Sequence, residues 1–98
     1  VKIPNKIKVA GHEYKIIWDN EYLSNQDYEG LTKHRSLKMY LCDKFRGQML
    51  DKSIIEENFI HEMLHAIDVN YNNRQLTEEQ ISCMAAGVYQ VLKDNFKF

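Results

Sequence analysis

Two histidines and a glutamate fall within five residues of one another, in the run His61-Glu62-Met63-Leu64-His65. On a helix, residues four apart stack on one face with Cβ atoms about 5–6 Å apart, so both imidazoles can reach one ion. Glu62 is turned about 100° from His61. That is too far round for a comfortable ligand but well placed to touch a water in an open coordination position. The chemistry this pattern suits is zinc-assisted hydrolysis: the metal lowers the pKa of its water to about 7, and the carboxylate takes the proton as the water attacks a peptide carbonyl. The same acid then passes the proton to the leaving amine. Three fixed residues recur by chance in about a few of every thousand chains of this length, so the bare spacing is not decisive. Its placement within a capped helix raises its weight. The bland alternative is a pair of ordinary polar histidines beside an apolar stripe.

The helix that must carry these residues is expected from Ser53 to about Asn70, with Ile60, Leu64, Ile67 and Tyr71 at helical spacing. Ser53 followed by Glu56 reads as a capping box, and Asn70-Tyr71-Asn72-Asn73 supplies a stop. A second helix opens at Thr77 with Gln80, again a capping box, and carries Ile81, Met84, Ala85, Val88, Val91 and Leu92 as far as Asn95.

A catalytic zinc takes a third protein ligand, and the second helix offers Glu78 and Glu79. With Ile81, Ala85, Val88 and Leu92 marking the core direction, Glu78 lies about 60° from it and Glu79 about 160° away. Glu78 is therefore the expected ligand. Asp68 is its rival, but ligands at i, i+4 and i+7 would span about 10 Å of one straight helix, more than a single ion bridges easily. For Asp68 two readings stay open: a hydrogen bond that orients a histidine, or a solvated acid near the helix end.

Upstream, Ile7, Val9, Tyr14, Ile16 and Trp18 face one way across a turn at Ala10-Gly11-His12, the pattern of a β-hairpin. From Asn20 to Gly30 the chain is polar and acidic, and a loop or a short helix ended by Gly30 fits equally. Leu31 to Arg35 reads as a short strand turning into Ser36 to Cys42, where Leu37, Met39 and Leu41 alternate with Lys38, Tyr40 and Cys42. The expected architecture is one α+β domain covering residues 1–98: a small, mainly antiparallel sheet of three or four strands packed on two helices, with the metal between them.

Composition bounds the rest. Apolar residues make up 44% and charged residues 28% of the chain, ordinary for a globular domain and remote from the disordered regime. With 13 basic and 14 acidic residues the net charge is -1, which gives no electrostatic reason for a nucleic acid or an anionic membrane as partner. No apolar run approaches the roughly 18 residues of a membrane span, and the N-terminal run to Lys6 lacks the apolar centre of a signal peptide, so a cytoplasmic location is expected. Cys42 and Cys83 have neither knuckle nor redox spacing and read as free thiols.

The hairpin, the strand near Leu37 to Leu41, the run His61 to Ile67, and Leu76-Thr77-Glu78-Glu79-Gln80 leading into Ala85 to Leu92 together resemble the minimal zincin-like proteins of bacteriophages and bacterial mobile elements. These are related to the larger ImmA/IrrE-type metallopeptidases. The likeness implies a zinc metallopeptidase with ligands His61, His65 and Glu78, Glu62 as general base, and a peptide or protein substrate. It also implies that the strand around Leu37 to Leu41 is the sheet edge over the cleft, where an extended peptide could add as a further strand; the alternation there fits an ordinary core strand equally. One departure is that the larger relatives place the third ligand three positions before an alanine, where this chain has Ser82 before Ala85. Tyr71 or Tyr89 could supply an oxyanion donor. The rival expectation is a zinc-stabilised or degenerate zincin that binds a protein partner without cleaving it.

Overall fold

The computed structural model describes residues 2–96. Two strands, β1 (Lys6–Val9) and β2 (His12–Trp18), form the expected hairpin, closed by Ala10 and Gly11 at φ 53° and 79°. Positive φ at both central residues is the type I′ geometry that matches strand twist. The polar stretch that follows is a helix, α1 (Asn20–Gln26), rather than a loop. Asp19 caps it by accepting from Tyr22 N at 3.0 Å, and Asp27, at φ 63°, ends it before Gly30 is reached.

Gly30 instead begins β3 (Gly30–Lys33), which pairs antiparallel with β4 (Lys38–Leu41). β4 also pairs in parallel with β2, giving the sheet order β1-β2-β4-β3. The edge beside the helices is therefore β3 and not the Leu37 to Leu41 segment, which lies in the sheet interior. Leu37 itself, at φ 56°, belongs to the turn. Met39 and Leu41 are fully buried, as a central strand requires. A two-stranded ribbon, β5 (Lys44–Phe45) with β6 (Gln48–Met49), leads to the long helices α2 (Lys52–Tyr71) and α3 (Glu78–Asn95).

The α+β expectation holds: a mainly antiparallel four-stranded sheet packs on the helices, with α1 a third helix beyond the two expected. Ile16, Met39 and Leu41 from the sheet meet Phe59 and Ile60 of α2 and Ala85 and Tyr89 of α3 in one apolar core. A second cluster, Val9, Tyr14 and Ala66, continues it toward the end of α2. Trp18, Ile67 and Tyr71 continue their periodic patterns but stand partly or largely in solvent, because the sheet and α3 do not cover those positions. No described helix is long and apolar enough to cross a membrane.

The start of α2 differs from the expected capping box. Asp51 is the N-cap, without a side-chain cap bond, and Ser53 lies inside the first turn. Glu56 is turned into the core, where its carboxylate accepts from the Tyr89 hydroxyl at 2.8 Å and ties α2 to α3. Burial and that carboxylate push the Tyr89 phenol up to about 12. The box at the start of α3 forms as read: Gln80 N donates to Thr77 Oγ1 at 3.1 Å and Thr77 N to Gln80 Oε1 at 2.8 Å.

Candidate metal centre

Among the described residues, the buried charged side chains are Glu56, Glu62 and Asp68, all on α2. A buried carboxylate without partners would cost several kcal/mol, and each of these has one. Asp68 Oδ1 accepts from Leu76 N at 3.2 Å and from Asn72 Nδ2 at 2.9 Å, while its carbonyl takes the N–H of Asn72 and of Arg74. Asn73 and Arg74 adopt positive φ, 53° and 57°, to make the reversal. Asp68 is thus neither a solvated acid nor an orienter of histidine. Its carboxylate fastens the turn that delivers α3.

That turn determines where Glu78 sits. Leu76 is tied to Asp68 and Thr77 to Gln80, so Glu78, the first residue of α3, projects from a backbone fixed on both sides. The helix N-terminus also favours its negative charge. Glu78 reaches both imidazoles: its Oε1 is 2.6 Å from His61 Nε2 and its Oε2 is 3.0 Å from His65 Nε2. The two Nε2 atoms are 3.1 Å apart, and one donor atom from each of the three residues falls within 4.8 Å of the others. Glu79, on the solvent side of the same turn, is exposed and outside this group.

The donor set fits a zinc ion. Bonds of about 2.0–2.1 Å in a tetrahedron place donors about 3.4 Å apart. The two Nε2 atoms at 3.1 Å and the His65–Glu78 pair at 3.0 Å come near that spacing, and the His61–Glu78 pair at 2.6 Å has to open to admit an ion. Two imidazoles and a carboxylate are also ligands that zinc takes in open, three-protein-ligand sites. The histidines are mostly shielded, at 18% and 26% side-chain exposure, whereas Glu78 stands 69% exposed.

Glu62 approaches from beneath. It is 5% exposed, and its Oε1 accepts from Thr32 Oγ1 at 2.8 Å. Its Oε2 lies 4.0 Å from His61 Nε2, on the side of the three-donor group. Burial raises the Glu62 carboxyl above the ordinary carboxylate range, against the opposing pull of the Thr32 hydrogen bond and the nearby histidines. A more basic carboxylate is a better proton acceptor. Gly30, two residues before Thr32 on the same face of β3, leaves the space: a Cβ there would lie 3.1 Å from both Cγ and Oε2 of Glu62.

A cleft of about 410 Å³ opens between β3 and the helices, with Tyr28, Thr32, His34, Glu62, His65 and Glu78 on its walls. A second recess of about 180 Å³ adjoins it on the His61 side, beside Glu29 and Asn58. Of the tyrosines considered as oxyanion donors, Tyr71 is 69% exposed and Tyr89 is bonded to Glu56 in the core, and neither lines these clefts. Thr32, Gly30 and His34 carry no local motif. Only the pairing of β3 with β4 and its packing on α2 bring them to Glu62. Comparison with protein-family models, curated proteins and solved structures gave no match.

Proposed function

We propose that this chain is a zinc-dependent peptidase of the zincin type, holding its metal through His61, His65 and Glu78 and using Glu62 as the general base. The observation that supports it most directly is the convergence of three ligand atoms from two helices beside a buried, raised-pKa carboxylate with one oxygen pinned. When bound, zinc supplies a lowered water pKa and a polarised carbonyl. Glu62 Oε2 takes a proton from the attacking water as the water oxygen bonds to the carbonyl carbon and the C=O electron pair moves onto oxygen. The pair returns as the C–N bond breaks, and Glu62 delivers the proton to the departing nitrogen. The water's remaining proton follows to the amine, leaving a carboxylate and an ammonium group.

Thr32 keeps Glu62 Oε1 occupied, so that Oε2 is the oxygen left for this transfer. The outer side of β3 borders the cleft and has main-chain groups with which an extended peptide could pair. Imidazole and carboxylate also accept cobalt, nickel or iron, so zinc is the metal favoured by ligand type and geometry.

The test begins with elemental analysis of protein purified without a histidine tag. One zinc per chain in the wild type, lost or weakened in His61→Ala and Glu78→Ala, is the expected result. With a quenched fluorescent peptide library as substrate, Glu62→Gln should retain zinc and lose about 10²–10⁴-fold in kcat. Zinc binding without cleavage would favour the second reading, a partner-binding zincin, for which the exposure of Glu78 leaves room. No metal in the wild type after zinc is supplied would overturn both.

A further inference from the structure

Attack on a peptide carbonyl drives negative charge onto its oxygen, and a pre-positioned donor there is a large part of catalysis. With Tyr71 and Tyr89 outside the clefts, the uncharged side-chain donors at the larger one are Thr32, Tyr28 and His34. Thr32 donates its hydroxyl hydrogen to Glu62, and Tyr28 stands half in solvent. His34, just beyond β3, is the one braced from behind.

The brace begins at α2. Asn70 Nδ2 donates to the Ala66 carbonyl at 2.7 Å and to the Tyr14 hydroxyl oxygen at 2.9 Å. Because a carbonyl can only accept, the Asn70 amide orientation is fixed, and Tyr14 is fixed as an acceptor from it. The Tyr14 hydrogen is then directed to His34 Nδ1, 3.4 Å away. The rings meet edge to face, with centroids 6.2 Å apart at 81°. An Nδ1 that accepts leaves a neutral imidazole with its hydrogen on Nε2. Tyr14 is 1% exposed, so the Nδ1 edge faces inward while the ring forms part of the cleft wall. Burial, reinforced by the Arg74 charge and opposed by Asp68, lowers the His34 pKa below the ordinary imidazole value.

We propose that His34 is a further catalytic residue, donating its Nε2–H to the oxyanion of the tetrahedral intermediate, with Tyr14 and Asn70 as positioning residues that set its tautomer. This rests on the peptidase reading above. Unlike His61, Glu62 and His65, His34 belongs to no sequence motif. Its role comes from a chain of three hydrogen bonds reaching from α2 through β2 to the end of β3.

The experiment uses zinc-loaded wild type, His34→Ala, His34→Gln and Tyr14→Phe. Each is assayed for zinc content, for cleavage of the best peptide from the fluorescent library, and for affinity toward a phosphinic peptide of that sequence, which mimics the tetrahedral state. His34→Ala should keep its zinc and its KM within about threefold, lose about 10²–10³-fold in kcat, and bind the phosphinic peptide more weakly by a similar factor. His34→Gln, which offers an amide N–H, should recover part of the loss. Tyr14→Phe preserves the packing and should lose up to about tenfold in kcat with little change in KM. A His34→Ala enzyme with kcat within threefold of wild type would overturn the assignment while leaving the peptidase reading intact. Wild type that holds zinc but cleaves no peptide would remove the peptidase reading and the role of His34 with it. Nitrogen-resolved NMR of the imidazoles in metal-free protein at neutral pH gives a readout without turnover: the Nε2–H tautomer is expected at His34, and an Nδ1–H form would sink the proposal.

Discussion

Thr32→Val isolates the interaction that orients Glu62. The two side chains are nearly isosteric, so the substitution removes the 2.8 Å hydrogen bond to Glu62 Oε1 with little change in packing. Glu62 is 5% exposed, which leaves few alternative partners for that oxygen. A hydrogen bond to an ionised group contributes about 1.5–3 kcal/mol and a neutral one about 0.5–1.5 kcal/mol. Thr32→Val should therefore cost about 1.5–3 kcal/mol with the Glu62 carboxylate as acceptor. The same change made in a Glu62→Gln background should cost about 0.5–1.5 kcal/mol. Urea unfolding of the four metal-free proteins gives the coupling directly as a double-mutant cycle. A coupling of about 1 kcal/mol or more supports a charged hydrogen bond from Thr32. Equal costs in the two backgrounds would refute it, and with it the account of why Oε2 is the oxygen that faces His61.

Three other outcomes follow from the same structure. Gly30→Ala, whose Cβ would press on Glu62 at 3.1 Å, should lower kcat by about 3- to 10-fold with zinc content unchanged, since a displacement of about 1 Å costs up to about 10²-fold. Unaltered kinetics would mean that the carboxylate yields without consequence. Asp68→Ala should retain zinc in elemental analysis but lose about 2–4 kcal/mol in urea unfolding, because the turn hydrogen bonds, and not the metal, depend on it. Loss of metal with stability intact would make Asp68 a ligand after all. Tyr89 has its folded pKa raised from 10 to about 12, so it contributes stability that is complete below pH 10 and lost as pH rises from 10 through 12. Over that window wild type should lose stability faster than Tyr89→Phe. Parallel decline in the two proteins would contradict the protonated Tyr89–Glu56 pair.

The sequence made the local features readable and the non-local ones obscure. His61 and His65 share a face because of helical period alone, and the wheel that selected Glu78 over Glu79 needed only the apolar face of one helix. The second capping box was likewise local, four residues that bond to each other. The first was misread because the carboxylate that could have closed it, Glu56, finds a better partner 33 residues away in Tyr89. Strand order is also a tertiary matter: alternation marks Met39 and Leu41 as buried but not which neighbour covers them, and of the two readings open for that strand, the edge implied by resemblance and the plain core strand, the sheet order leaves the second. Asp68 shares a helix face with the histidines, but its Oδ1 is held by the turn that follows. Gly30, Thr32 and His34 gather at Glu62 only through that strand order, and nothing in their spacing announced it.

The two outer strands of the sheet have a colloidal consequence. β1 and β3 each end the sheet with an unpaired row of main-chain donors and acceptors, a surface on which strands of other molecules can crystallise into ribbons. Both are only four residues long, and their lysines, Lys6 and Lys8 on one and Lys33 on the other, put like charges along any edge-to-edge contact between identical copies. Each edge is thereby made a poor template for its own kind, and concentrated protein should stay dispersed at low salt, with ribbon-like association favoured only as added ions screen the lysines.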